Sequence, residues 1–263
     1  MIEVAVLGIG MLGPGLADWS AGQGRLRDPS TWQPQPTVVP PAARLPATER
    51  RRAGTVIKAS IVVADEAVIA AGADAAQLAT VFTSSTGDTT NCHLLCEALA
   101  MPQRLVSPTR FTNSVHNAAA GYWHIATRSR QPSTSLAAYD ASFAAGLLEA
   151  AVQCLAAQAP VLLVACDVPY PEPLHALRPV ADIFAVALVL SPAAAAGRAL
   201  TLEVRGESAP TPCIGAELET LRRGIPAARA LPLLQALAHA GAGLVDLDGP
   251  PGMALRLRVG PLT

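Results

Sequence analysis

A chain of 263 residues, 51% of them hydrophobic and 15% charged, can bury one substantial core and is too apolar for a disordered polymer. Its 19 Lys+Arg and 20 Asp+Glu leave a net charge of −1, and aromatic residues make up only 4%. It has neither the basic field that attracts a phosphate backbone nor the stacking platforms of single-strand binders, so nucleic acid is not an expected partner.

No membrane span is expected either, because the longest apolar runs, Val161 to Ala165 and Phe184 to Leu190, fall far short of the roughly 20 residues that cross a bilayer. Met1-Ile-Glu-Val lacks the basic region of an export signal, and an odd count of five cysteines then reads as reduced thiols in a cytoplasm. In chain order, Glu3 to Leu7 reads as a buried strand ending in the glycine turn Gly8-Ile9-Gly10-Met11-Leu12-Gly13. Pro29 to Pro46 is too proline-broken for a central strand. Thr48 to Gly72 reads as a helix that opens at Glu49-Arg50-Arg51-Arg52 and stops at a glycine. Ala79 to Thr83 is a strand running into the loop Ser84-Ser85-Thr86-Gly87-Asp88, followed by a short helix over Thr90 to Leu99. Asn113 to Thr127 predicts a helix of small residues, and Thr134 to Ala138 a short strand. Ser142 to Ala157 places Phe143, Leu147, Ala150, Cys154 and Ala157 on one helical face. Val161 to Ala165 and Phe184 to Leu190 are buried strands. Beyond Thr201 the pattern weakens to a strand (Leu202 to Arg205), a helix (Leu231 to Ala240) and a last strand (Ala254 to Val259). Wholly apolar strands separated by helices predict an α/β layered fold, and no internal repeat is evident.

Several motifs invite a chemical reading. Gly8, Gly10 and Gly13 fit the dinucleotide fingerprint G-x-G-x-x-G, but Pro14-Gly15 interrupts where a helix should open, and the next strand is replaced by proline-rich loop. No cofactor is expected, and the glycines read as a tight strand exit. No G-x-S-x-G nucleophile elbow occurs. Cys166 at a strand end, with His175 following, reads as a buried cysteine rather than a nucleophile. Cys92, His93 and Cys96 lack a second ligand pair, so no metal is expected and the thiols read as small buried side chains. His116 and His124, eight apart, fall roughly on one side of the Asn113 helix.

Two longer blocks are more specific. The segment Ser107-Pro-Thr-Arg-Phe-Thr-Asn-Ser-Val-His-Asn-Ala-Ala-Ala-Gly-Tyr-Trp-His-Ile-Ala-Thr and the segment Ser133-Thr-Ser-Leu-Ala-Ala-Tyr-Asp-Ala-Ser-Phe-Ala-Ala-Gly-Leu-Leu-Glu-Ala-Ala resemble the β-ketoacyl synthases of the thiolase superfamily. More narrowly, the chain is similar to the short ketosynthase-like chain-length-factor proteins of aryl-polyene and xanthomonadin-type pigment pathways. Val4-Ala-Val-Leu-Gly-Ile-Gly-Met, Leu45-Pro-Ala-Thr-Glu-Arg-Arg-Arg-Ala and Asp167-Val-Pro-Tyr-Pro-Glu-Pro-Leu agree with that subfamily, and the likeness extends over about residues 1 to 205. It implies a thiolase-like layered α/β fold. The N-terminal half, residues 1–200, would be largely complete, and residues 201–263 would be the remnant of a strongly truncated second half packed on the same core.

The resemblance also implies a function. Active members carry a nucleophilic cysteine at the start of the long helix, where the dipole lowers the thiol pKa and backbone N–H groups hold an oxyanion. Residue-by-residue matching places Asp140 there, expected to act as a helix N-cap. The family's two histidines from the second half have no counterpart, since His239 is the single histidine beyond residue 200. No catalytic residue is therefore expected. The implied role is a silent subunit paired with an active ketosynthase that receives chains from an acyl carrier protein. The alternatives are a residual carrier-protein-directed decarboxylase or acyltransferase using Asp140 or His116, and a homodimeric scaffold. The implied tunnel and interface residues are Phe111, Thr112, Asn113, His116, Thr134, Leu136 and Tyr139.

Overall fold

The computed structural model describes residues 1–193 and 197–261. Among the described residues, eight strands form one mixed sheet: β1 (Ile2–Leu12), β2 (Ala79–Thr83), β3 (Ser133–Leu136), β4 (Val161–Asp167), β5 (Phe184–Pro192), β6 (Arg198–Gly206), β7 (Gly243–Asp248) and β8 (Met253–Val259). Their order is β3-β2-β4-β5-β1-β6-β8-β7, with β3, β2 and β4 parallel and all later neighbours antiparallel. The α-helices are α1 (Trp19–Arg27), α2 (Ala47–Arg52), α3 (Thr55–Ala70), α4 (Thr89–Ala100), α5 (Pro108–Thr112), α6 (Ala118–Thr127), α7 (Ser142–Ala157), α8 (Leu174–Leu177), α9 (Ala216–Gly224) and α10 (Leu231–Ala238).

The apolar runs of β4 and β5 have a simple reason. Leu162, Val164, Cys166, Ala185, Ala187 and Val189 face one cluster with α3 and α6, while Leu163, Ala165, Val186, Leu188 and Leu190 face another with α7. A strand covered on both faces has no polar side to show. α3 is apolar nearly all round because it is buried nearly all round, with Ile57, Ile61, Val63, Ala64 and Ala67 fully enclosed. α7 begins and ends as expected, though Ala157 of its predicted face is exposed.

The glycine turn expected after Leu7 is not formed. β1 continues through Gly8 and Gly10 to Leu12, with a bulge between Val6 and Gly8. A Cβ on Gly8 would lie 2.1 Å from the carbonyl oxygen of Ala67, and one on Gly10 would lie 2.0 Å from that of Val63. The glycines are there because the α3 backbone crosses β1 at contact distance, not because the chain turns.

Other boundaries also moved. The helix expected over Thr48 to Gly72 is two, α2 and α3, broken at Ala53-Gly54. The helix expected from Asn113 starts only at Ala118, since α5 ends at Thr112 and a turn intervenes. β7, α1 and α9 had no clear sequence signal. α9 is a surface helix, with two acids in its first turn and two arginines in its last.

Beyond residue 197 the chain adds β6, β8 and β7 to the same sheet through β1, and Leu218, Leu231, Leu233, Leu234, Leu255 and Leu257 join the α7 cluster. One stretch, Tyr139–Ala157, is apolar and long enough by composition to cross a membrane. It contains α7, which packs against β4, β2, β1 and β5 as a core helix of this fold.

Candidate functional site

The site is built around the turn that leads from β3 into α7. The hydroxyl of Ser142 accepts from Ala138 N–H at 3.0 Å and donates to the Tyr139 carbonyl at 2.6 Å, closing the turn from both sides. Within it Tyr139 adopts φ +53°, a left-handed conformation that a tyrosine tolerates only when its surroundings hold it. Asp140 follows. The expected capping role is not observed: Ala141 occupies the N-cap position and α7 has no side-chain cap.

The Asp140 carboxylate instead pairs with two arginines, Arg178 Nη2 at 2.8 Å and Arg229 Nη2 at 3.0 Å. Arg178 also donates to Ser85 Oγ at 2.8 Å and stacks on Tyr139, 3.7 Å from the ring centroid. Arg229 and Ser85 lie 89 and 55 residues from Asp140 in the chain, so no local spacing could have revealed these partners.

Behind the turn, the loop after β2 wraps a buried acid at the end of β4. Asp167 Oδ1 accepts from Ser84 Oγ (2.9 Å), Ser85 N–H (2.8 Å), Thr86 N–H (2.9 Å) and Thr86 Oγ1 (3.0 Å). Burial penalises its charge more than these donors compensate, so the pKa lies above the usual aspartate value. His116 approaches the same loop, with Nε2 3.1 Å from the Ser84 carbonyl, and since a carbonyl only accepts, the Nε2–H tautomer donates. Cys166, next to Asp167, is buried, and its thiol pKa is driven far up by desolvation, as expected of an inert cysteine.

The remaining candidates separate into a structural and an exposed set. Asn113 is buried and uses both ends of its amide: Nδ2 donates to the Arg52 carbonyl at 3.0 Å, and Oδ1 accepts from Tyr122 Oη at 3.1 Å, tying α2 to α6. Thr112 spends its hydroxyl on the Pro108 carbonyl at 3.0 Å, and Thr134 accepts from Gln153 at 2.8 Å. Leu136 packs half-buried against the α7 core on β3, an edge strand. Phe111 is 69% exposed, in company with Leu99, Met101, Leu105, Val115, Leu174 and Leu177. α4 buries only Thr89 and Asn91, and its thiols Cys92 and Cys96 are exposed, contrary to the buried reading.

Between α6 and β3 runs a groove of about 450 Å³ lined by His116, Asn117, Ala120, Gly121, His124, Ser133 and Ser135. The two histidines meet there although they do not share a helix face as expected, since His116 lies in the turn before α6. His239 caps α10 and lines a different groove with Trp19 and Arg27. Among the described residues no three His, Cys, Asp or Glu side chains are grouped to hold a metal ion.

The fold as a whole is shared with known proteins. The family model for the beta-ketoacyl synthase N-terminal domain matches residues 19–238, and the chain belongs to that family. A chain of the ketosynthase ApeO in complex with its chain length factor ApeC, from Xenorhabdus doucetiae, matches with TM-score 0.73 and 22% identity over 98% of this chain and 99% of that one. A chain of AntDE:AntF, a type II PKS acyl-carrier protein in complex with its ketosynthase, matches with TM-score 0.76 and 12% identity over 99% of both. The ketosynthase from module 1 of the bacillaene synthase of Bacillus amyloliquefaciens gives TM-score 0.60 and 13% identity, over 79% of this chain but only 47% of its own. At these identities the likenesses establish the fold, in a form much shorter than the bacillaene ketosynthase. No curated protein sequence matches the chain.

Proposed function

We propose that this protein is a chain-length-factor subunit: a ketosynthase-like chain without independent condensing activity that pairs with an active β-ketoacyl-carrier-protein synthase in the cytoplasm and helps shape the acyl path. The observation that carries the reading is Asp140. At the position where the resemblance puts a nucleophilic cysteine stands a carboxylate engaged by two guanidinium groups, and such a group forms no thioester. Residues 201–263 are read as what is left of the fold's second half, with His239 at the C-terminal end of α10 in a groove with Trp19 and Arg27.

Two features support a partner. β3 lies at the sheet edge with one side unpaired, and edge strands of this kind serve as pairing templates. The stretch from α4 to α5 presents Leu99, Met101, Leu105 and Phe111 to solvent, apolar side chains that a partner would cover. The ApeO/ApeC and AntDE:AntF assemblies make an active ketosynthase and an acyl carrier protein the partners to test.

The test is co-expression with the ketosynthase encoded alongside, followed by co-purification and intact-mass analysis after incubation with malonyl-carrier protein. A stable heteromeric complex in which only the partner becomes acylated is the expected result. Stoichiometric acylation or decarboxylation by the isolated chain, lost in Asp140→Ala or His116→Ala, would establish the enzymatic alternative. A homodimer indifferent to the ketosynthase would establish the scaffold.

A further inference from the structure

The Asp140 carboxylate is shared by two guanidinium groups that arrive from 38 and 89 residues away, one oxygen to each. Nothing local asks for an acid at this position, because Ser142 holds the turn and Ala141 fills the capping position. The arginines do ask for one. Their side chains are only 22% and 19% exposed, and the Nε of each is buried without a partner, so neither cation is well solvated. Two partly desolvated like charges meet there, close to the positive end of the α7 dipole.

We propose that Arg178 and Arg229 form a carboxylate-binding site whose resident ligand is the chain's own Asp140, and that filling this site locks the C-terminal segment onto the turn before α7. The inference is independent of the chain-length-factor reading. From Arg229 the pairing continues through Nη1 to Asp248 at 2.9 Å, and Asp248 also takes Arg222 Nη1 at 2.7 Å. Arg222, only 5% exposed, grips both oxygens of Glu219 at 2.8 and 2.9 Å. Cation and anion alternate from Arg178 to Glu219, so the ladder joins the loop after α8, the α7 turn, the end of β7 and α9. Removing the charge at residue 140 leaves Arg178 and Arg229 confronting each other and breaks the ladder near its start. What the arginines recognise is a carboxylate, whether or not it is attached to residue 140. A small carboxylate from solution should therefore refill the site once the side chain is cut back.

The experiment is thermal unfolding of full-length Asp140→Ala, titrated with formate against chloride at matched ionic strength. The expected result is a Tm several degrees below the parent, at least half recovered by formate with saturation, since a ligand bound only by the folded state raises its stability. Formate beyond chloride should leave the parent and the Asp140→Ala/Arg229→Met double variant unmoved. A variant that melts like the parent, or whose loss formate does not reverse, overturns the proposal. If Asp140→Ala does not fold in any buffer, the near-isosteric Asp140→Asn decides, alone and with Arg229→Met. A double variant whose loss falls short of the sum of the Asp140→Asn and Arg229→Met losses supports the site, and losses that add in full overturn it.

Discussion

Phe111 is the bulkiest side chain in the segment that the resemblance directs toward an acyl path. At 69% exposure it does not anchor the core of this chain. A buried phenylalanine cut to alanine costs about 3–5 kcal/mol. An exposed one costs within about 0.5 kcal/mol, so Phe111→Ala should melt within about 2 °C of the parent. In complex with an active ketosynthase the same change should lengthen the product if the ring limits the chain, as product masses would show. An unchanged distribution from a well-folded complex would remove Phe111 from the gate. On α9, Glu219 has its pKa lowered from 4.5 to about 2, chiefly by its hydrogen bonds from Arg222. The unfolded chain therefore binds the proton more readily between these values. The stabilisation is complete above about pH 4.5 and is lost as the pH falls toward 2. Glu219→Gln should be less stable than the parent at pH 7, and the gap should narrow on acidification, which denaturant titrations from pH 6 to 2.5 would measure.

For the elements, the sharpest constraint is the crossing of β1 by α3. Gly10 faces backbone, the carbonyl of Val63, so the obstruction has no flexible end that might rotate away. Gly10→Ala should cost at least about 3 kcal/mol, the upper range for overpacked cores, and reduce soluble yield. Gly24→Ala, in α1 with open space around its Cβ position, should be neutral or slightly stabilising. The edge strand β3 supplies a second test. Leu136→Lys places a charge where a partner strand would lie and should abolish co-purification with the ketosynthase. Because Leu136 also packs on the α7 core, the isolated variant must be shown by its melt to remain folded. A folded variant that still forms the complex would exclude this edge as the interface.

The whole molecule is one sheet whose later strands and helices complete the core begun by the earlier ones. Leu233, Leu234, Leu255 and Leu257 are fully or almost fully buried in the same cluster as Leu163 and Leu188. Ending the chain at residue 200 should therefore yield an insoluble or molten product with little cooperative melting, a test of whether residues 1–200 can stand alone. The whole molecule also bears on placing a thiol at residue 140, where the resemblance puts the nucleophile. Asp140→Cys should accept at most an acyl group and carry out no condensation, by intact mass and product analysis. It should also destabilise the chain, because a neutral thiol gives Arg178 and Arg229 no counter-charge.

By itself the sequence determined what depends on the burial of successive residues. The continuous apolar runs of β4 and β5, the helical face of α7 and the blocks around Asn113 and Ser133 placed the chain among the ketosynthase-like folds. Tertiary structure alone decided what depends on residues far apart in the chain. A glycine before a proline-rich loop reads as a turn until α3 is seen lying across it at Val63 and Ala67. An aspartate ahead of a helix reads as a cap until Arg178 and Arg229 take both of its oxygens. Phe111 reads equally as a core anchor or a gate on the acyl path until α5 is found to bury none of its residues. Local pattern records how much of a side chain is buried. Which partner it meets is set by the path of the chain, and ionic and close-packed contacts are decided there.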